Sequence, residues 1–104
     1  MITAIVQFKL PDGTTIDDAK AMFDAGIANY RGRAGLVRKY YLYGEGGTAG
    51  GVYLWENRAA ADALYTAEWK SMIEDRFGAA PNITFFETPV IVDNTLDGTA
   101  SAAE

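Results

Sequence analysis

The chain of 104 residues contains neither cysteine nor histidine. Without cysteine it forms no disulfide, thiolate nucleophile or iron–sulfur site. Without histidine it has no imidazole to bind haem or zinc, or to act as a base near neutral pH. The spacing of its Asp and Glu residues does not match a calcium loop either. We therefore expect no cofactor and no metal.

Long apolar runs and an excess of positive charge are also missing. No segment approaches the roughly 20 apolar residues of a membrane span, and the apolar run at residues 2–6 is too short for a signal peptide. The formal net charge of −5 argues against nucleic acid and membranes as partners. We expect a cytoplasmic protein with one domain, because a chain of this length builds a single hydrophobic core.

The stretch from Gly35 to Trp55 contains four of the six tyrosines and predicts a hairpin. Residues 36–43 are β-branched, aromatic or long, which favours a strand. Residues 44–48 supply a glycine-rich turn, and a partner strand follows over residues 49–55. We interpret this hairpin as the floor of a binding cavity.

Gly50 and Gly51 lie inside the second strand of the hairpin. Glycine within a strand fits a bulge or a close approach of another backbone. It also fits open space for a ligand beside Tyr53 and Trp55. The sequence leaves both interpretations open.

The first half of the chain predicts a strand and then a helix. Residues 2–10 alternate as a strand, with Gln7 on its less apolar face. Thr15 begins a helix as its N-cap, and apolar residues at a spacing of three or four continue to Tyr30. Glycines then end the helix, which places Arg31 and Arg33 in its last turn.

The second half predicts a longer helix and a final strand. The helix runs from the N-cap Asn57 to Gly78, and Thr66 marks a kink that the sequence does not settle. The last strand covers residues 82–88, and Pro89 confines it to an edge of the sheet.

The element order is β-α-β-β-α-β, which predicts a ferredoxin-like α+β fold with a four-stranded antiparallel sheet over residues 1–92. Helices on one face leave the other face exposed, with aromatic side chains among polar ones. We expect two copies to pair through that face as a homodimer. The apolar residues 90–92 are interpreted as packing on the partner subunit, and residues 93–104 as a mobile acidic tail.

Three features carry a family resemblance. These are Gly35-Leu36 opening the second strand, the segment TAGGVYLW at residues 48–55, and the β-α-β-β-α-β frame. Together they resemble the small YdhR-type monooxygenases of the dimeric α+β barrel superfamily. The resemblance implies a dimer whose sheets form a barrel, with a pocket between the sheet and the helices of each subunit. The missing histidine argues against the haem-degrading members and against a histidine-dependent aldol cyclase.

The function implied by this resemblance is a cofactor-independent monooxygenase acting on a small aromatic or polyketide-like molecule. An electron-rich phenolate reduces dioxygen itself when it is held dry, oriented and anionic. A non-catalytic carrier or sensor of a small apolar ligand is the alternative, and a structural dimer module is a third. A pocket of several hundred Å³ would separate the first two from the third.

Candidate site residues follow from residue type and predicted strand face. In the catalytic set, Arg38 stabilises the substrate anion, and Tyr40 or Tyr53 donates hydrogen bonds to its oxygens. The substrate-binding residues are Gln7, Trp55, Tyr65 and Trp69. In the competing interpretation, Arg38 pairs with a carboxylate such as Glu56 or Glu87, and the tyrosines build the dimer core.

Overall fold

The computed structural model describes residues 1–95, and within them the chain forms one sheet and three α-helices. The strands are β1 (Ile2–Lys9), β2 (Leu36–Tyr43), β3 (Thr48–Trp55) and β4 (Asn82–Glu87), and the helices are α1 (Ile16–Asp24), α2 (Arg58–Leu64) and α3 (Ala67–Phe77). The predicted ferredoxin-like α+β fold is confirmed. None of the helices within residues 1–95 is long and apolar enough to cross a membrane.

The sheet is antiparallel throughout, with the strand order β2-β3-β1-β4. β4 pairs only with β1 and forms an edge, as the proline after it predicts. The register places Ala4 of β1 opposite Tyr53 of β3 and Phe85 of β4. Because side chains alternate across a strand, these residues share one face of the sheet, on which the helices pack.

The hydrophobic core lies between this helix-covered face and the helices. Its members are buried apolar or aromatic side chains from β1, β3 and all three helices, with Tyr53 and Trp55 the largest of those that are almost fully buried. The opposite face, called here the open face, carries exposed Tyr40 and Phe86. Burial of these side chains between the sheet and the helices stabilises the fold.

The first helix is shorter than its apolar spacing predicts. Thr15 begins it through a capping box with Asp18, as expected. The helix then spans only Ile16–Asp24, and no basic residue lies in its last turn. The prediction that Arg31 and Arg33 close this helix is therefore wrong.

A contact from α3 accounts for the early end. Arg76 donates a hydrogen bond of 3.0 Å to the carbonyl of Met22. In a continuing helix that carbonyl would accept from the N–H of Gly26, which instead donates to Phe23 at 2.9 Å. Periodicity in the sequence does not reveal a tertiary hydrogen bond of this kind.

The predicted second helix is two helices. α2 ends before Tyr65, whose backbone has φ −81° and ψ 53°. Thr66 then accepts a hydrogen bond of 3.1 Å from the N–H of Trp69 and caps α3. The kink that the sequence left open at Thr66 is a break with its own N-cap.

The two glycines of β3 have different roles. Gly50 has φ +155°, and a Cβ built there would lie 1.8 Å from the carbonyl oxygen of Val6, so the close approach of another backbone is confirmed. At Gly51 a Cβ would lie 3.1 Å from both Lys39 Cε and Tyr53 Cε1. The missing side chain of Gly51 therefore lets these two side chains approach each other.

The segment after β4 crosses the open face. It starts at Thr88, whose N–H donates to the carbonyl of Met1 at 3.0 Å, and ends at Asp93, which pairs with Arg38 of β2. Val90 and Val92 are 61% and 70% exposed, so the interpretation that they pack on a partner subunit stays a prediction. Most of the predicted mobile tail, residues 96–104, lies outside the described residues.

Candidate functional site

The sheet divides the candidate residues into two groups. Gln7, Arg38 and Tyr40 lie on the open face and are exposed. Tyr53 lies on the helix-covered face and is 2% exposed. The structure therefore does not bring Arg38, Tyr40 and Tyr53 together as one catalytic group.

On the open face Arg38 is engaged within the chain. Its Nη1 donates to Asp93 Oδ2 at 3.1 Å and to the Tyr40 hydroxyl at 3.3 Å. The hydrogen bonds that Arg38 donates to Tyr40 and to Asp93 raise the pKa of Arg38. Hydrogen bonds from Thr95, and then from Arg38, lower the pKa of Asp93. Arg38 therefore pairs with a carboxylate, as the competing interpretation expects, although the partner is Asp93.

The other four candidates meet between the sheet and the helices. The rings of Tyr53 and Trp55 are parallel, with centroids 6.1 Å apart, and Tyr65 stands edge-on to both. Tyr65 also packs edge-on against Trp69 at 5.0 Å. Such contacts are favourable beyond the burial of area.

Both indoles of this cluster have polar partners. Trp55 Nε1 donates to the Tyr65 hydroxyl at 3.1 Å, and Trp69 Nε1 donates to the Tyr30 hydroxyl at 3.2 Å. The break between α2 and α3 makes this possible, because it places Tyr65 directly after the end of α2 and Trp69 in the first turn of α3. Each buried N–H is thereby satisfied.

The side chain that sequence reasoning missed is Lys39. Its Nζ lies 3.4 Å from the ring centroid of Tyr30, 3.9 Å from that of Tyr41 and 4.5 Å from that of Tyr53. Among residues 1–95, no carboxylate forms an ion pair with it. The sequence does show that Lys39 lies two residues from Tyr41, on the same face of the strand. That Tyr53 also lies beside Lys39 follows only from the pairing of β2 with β3.

Burial changes the acid–base properties of this cluster. It lowers the pKa of Lys39 to about 6, with a smaller effect from the positive charge of Arg76. Burial raises the pKa of Tyr41 to about 12, and it raises the pKa values of Tyr53 and Tyr65 as well. Near neutral pH the tyrosines are therefore neutral donors, whereas Lys39 is an amine that can accept a proton.

Little empty space remains inside the cluster. The cavity between the sheet and the helices has a volume of about 20 Å³, about the space of one water molecule. The hydroxyl of Tyr41, which is also on its wall, is buried and makes no hydrogen bond with residues 1–95. The expected pocket of several hundred Å³ is not found at this position, a result that favours the structural interpretation of the interior.

A larger groove adjoins the cavity at the edge of the sheet. It has a volume of about 360 Å³ and runs between β2 and the turn after α1. Tyr30, Lys39 and Tyr41 line both the groove and the cavity. Lys39 therefore lies where the surface groove meets the buried aromatic cluster, and the groove has the size of a small-molecule site.

The open face has a second groove of about 330 Å³ beneath the segment after β4. Its wall includes Arg38, Tyr40 and Asp93. No group of three or more Asp and Glu residues that could hold a metal ion occurs in the described part of the chain.

Comparison with known proteins places the fold. No family model matches the sequence, and no curated protein matches it. Among solved structures, a protein of unknown function from Nitrosomonas europaea superposes with a TM-score of 0.68 at 13% identity, over 84% of this chain and 87% of that chain.

Two similar structures carry a functional description. One is an antibiotic biosynthesis monooxygenase, with a TM-score of 0.63 at 15% identity over 85% of this chain and 98% of that chain. The other is SnoaB, a cofactor-independent oxygenase from Streptomyces nogalater, with a TM-score of 0.60 at 14% identity over 84% and 91%. The chain therefore shares its α+β fold with these three structures.

Proposed function

We propose that this protein is a cofactor-independent monooxygenase acting on a small aromatic or polyketide-like molecule. The fold that it shares with SnoaB, described as a cofactor-independent oxygenase, supports the reaction class. The observation that carries the proposal is Lys39, an amine without a carboxylate partner in residues 1–95, held over three tyrosine rings at the bottom of a groove.

The reaction requires little of the protein. A phenol with a free para carbon reacts with dioxygen to give a para-quinone, and the second oxygen atom leaves as water. The substrate supplies all the electrons, so that no external reductant is needed. Catalysis then consists of binding the ring, favouring its anion and excluding water.

The aromatic cluster is suited to these tasks. We assign Tyr53 and Trp69 as the wall on which the substrate ring stacks, with Trp55 and Tyr65 supporting them from behind. The substrate enters along the groove of about 360 Å³ and displaces the ring of Tyr30 from the mouth of the filled cavity, while Lys39 stays beside Tyr41 and Tyr53. This movement gives the ring the volume that the closed cavity lacks.

The open face has a separate role in the proposal. We infer that a second copy of the chain covers it, because Tyr40 and Phe86 are 55% and 49% exposed there. Gln7, Arg38 and Tyr40 then belong to the dimer interface. The cytoplasmic location stays a prediction.

An oxygen electrode tests the proposed reaction. With 1-naphthol in air, the protein is expected to consume oxygen and to form 1,4-naphthoquinone, and Trp69→Ala is expected to lower the rate at least about tenfold through loss of ring positioning. Lys70→Met, a change at an exposed position of α3, serves as the matched control. Binding of 1-naphthol without oxygen uptake would favour the carrier or sensor alternative.

A variant on the other face distinguishes the two candidate sites. If oxygen uptake is lost in Tyr40→Ala, a change that touches only the groove of the open face, but kept in Trp69→Ala, the reaction takes place on the open face and the assignment to the aromatic cluster is wrong.

A further inference from the structure

We propose that Lys39 takes the hydroxyl proton of the substrate, and that this site therefore selects acidic phenols and enolised diketones. The inference rests on the proposed function and names both its substrate class and its base. In this step the O–H bond of the substrate breaks and an N–H bond of Lys39 forms. No electron is transferred, so the step needs no co-reactant.

The position of Lys39 supports this role. Its Nζ lies 3.4 to 4.5 Å from three tyrosine ring centroids, whose faces stabilise an ammonium group. What the arrangement lacks, among residues 1–95, is an anion beside that ammonium. A substrate oxygen arriving along the groove would supply it.

The other groups around Lys39 also favour an anion. Tyr30, Tyr41 and Tyr53 face it with their rings. Arg76 of α3 acts on it as a positive charge, and Arg31 and Arg38 line the same groove. The carboxylate of α1 that acts on the cluster is Asp24, which affects Tyr41 and is paired with Lys20 at 2.7 Å. The charges near Lys39 are therefore positive, and they favour a negatively charged oxygen beside its protonated amine.

The hydroxyl of Tyr41 is a second indication of a ligand. It is buried on the cavity wall without a hydrogen-bond partner in the described residues. An unpaired buried hydroxyl has lost its hydrogen bonds to water without replacement, which is unfavourable. A phenolate oxygen beside Lys39 would accept its hydrogen bond and remove that penalty.

The state of the amine determines when binding is strongest. With a pKa of about 6, Lys39 is neutral in the empty site at pH 7, so a neutral phenol binds by internal proton transfer without exchanging protons with the solvent. Below about pH 6 the amine is already protonated, so a phenol that binds as its anion must release its proton to the solvent. Above the pKa of the free phenol the substrate is already an anion and the amine is neutral, so Lys39 must take up a proton from the solvent on binding. Affinity is therefore highest between these two pKa values.

4-Nitrophenol tests the inference without turnover. Its anion is yellow and its neutral form is not, and the nitro group makes it a poor reductant of oxygen. At a pH below its own pKa, the wild type and the Lys70→Met control are expected to turn the bound probe yellow. Lys39→Met is expected to leave it colourless and to bind it at least about tenfold more weakly, the lower end of the range for a hydrogen bond to a charged group. 4-Nitroanisole, which has no proton to give, is expected to bind the wild type and Lys39→Met equally.

A second measurement uses the unmodified protein. The lysines of the chain are Lys9, Lys20, Lys39 and Lys70, so the ε-carbon resonances are easily resolved by NMR. One of them is expected to titrate near pH 6 and to move to the protonated position when 4-nitrophenol is added at pH 7. A Lys39 resonance that does not move on addition overturns the inference even if Lys39→Met fails to fold.

The two proposals fail in different ways. An equal yellow shift in Lys39→Met and wild type, or no binding of 4-nitrophenol by the wild type, overturns the role of Lys39 whatever the oxygen electrode shows. A yellow shift that depends on Lys39, together with no oxygen uptake from any phenol, supports the binding chemistry and overturns the monooxygenase.

Discussion

At the scale of single residues, Lys39 is the feature that packing alone does not explain. A lysine among aromatic rings loses hydration, and the structure offers it no carboxylate within residues 1–95. The side chain therefore lowers the stability of the folded state at neutral pH. Groups of this kind are often found at functional sites, where a shifted pKa serves chemistry.

We predict that Lys39→Met is more stable than the wild type at neutral pH. The pKa of Lys39 is 10.5 in the unfolded chain and about 6 in the folded one. Between these values the unfolded chain holds a proton that the folded chain has released, so the free energy of unfolding of the wild type rises with pH. The rise from this group is at most about 1.4 kcal/mol per pH unit.

Urea unfolding at several pH values measures the effect. From about pH 6 to about pH 9, the stability advantage of Lys39→Met is expected to shrink as the pH rises. The exposed change Lys70→Met is the control for loss of a charge. A constant difference across this range would show that Lys39 keeps an ordinary pKa.

At the scale of elements, the break between α2 and α3 positions the aromatic cluster. Tyr65 at the end of α2 accepts from Trp55, and Trp69 in the first turn of α3 donates to Tyr30. A single continuous helix would change the direction of one of these side chains relative to the other. The N-cap Thr66 therefore has two effects: it stabilises α3, and it fixes the geometry of the aromatic cluster.

We predict that Thr66→Ala destabilises the protein by about 1 kcal/mol, the usual effect of losing an N-cap. Thr66→Ser keeps the hydroxyl and is expected to stay close to the wild type. Thermal unfolding of the three proteins, followed by tryptophan fluorescence, measures both the stability and the environment of the cluster. A Thr66→Ala protein as stable as Thr66→Ser would show that the cap does not hold the break.

At the scale of the whole molecule, the two faces of the sheet have different properties. One is covered by helices and holds the aromatic cluster. The other is crossed by the segment after β4 and still exposes Tyr40, Leu42 and Phe86. Exposed aromatic and aliphatic side chains on one sheet face are typical of an interface between proteins.

We predict that the protein is a homodimer joined through the open face. Light scattering is expected to give twice the chain mass of 11.3 kDa, and Phe86→Glu is expected to shift the protein toward the monomer because it buries a charge in the interface. Ile16→Glu, at a position 61% exposed at the start of α1, is the matched control. A wild-type monomer at micromolar concentration would contradict the prediction.

How far the sequence predicts this molecule follows from which interactions are local. Strand periodicity, turn glycines and N-caps are local, and they predicted the element order and the caps at Thr15 and Asn57. The end of α1 depends on Arg76 from another helix, so its position was missed. Features set by residues close in the chain were therefore predictable, and a contact between two helices was not.

The candidate site was predicted less well because it depends on register. Strict alternation along β2 would put Leu36 and Arg38 on one face, but a register shift at Val37 puts Leu36 opposite Trp55 and leaves Arg38 on the open face. The sequence alone does not show this shift. The pairing of β2 with β3 is not visible in the sequence either. Arg38 was therefore grouped with Tyr53 by residue type, and Lys39, whose side chain meets Tyr53 only through that pairing, was overlooked.

The measurement that tests the central claim most directly is the reaction of 1-naphthol under oxygen-18 gas, followed by mass spectrometry of the quinone. The account predicts one oxygen-18 atom in the product, a rate proportional to the amount of protein, and loss of product in Trp69→Ala but not in Lys70→Met. A quinone without the label, or one formed at the same rate by Trp69→Ala, would contradict the assignment of a monooxygenase site to the aromatic cluster.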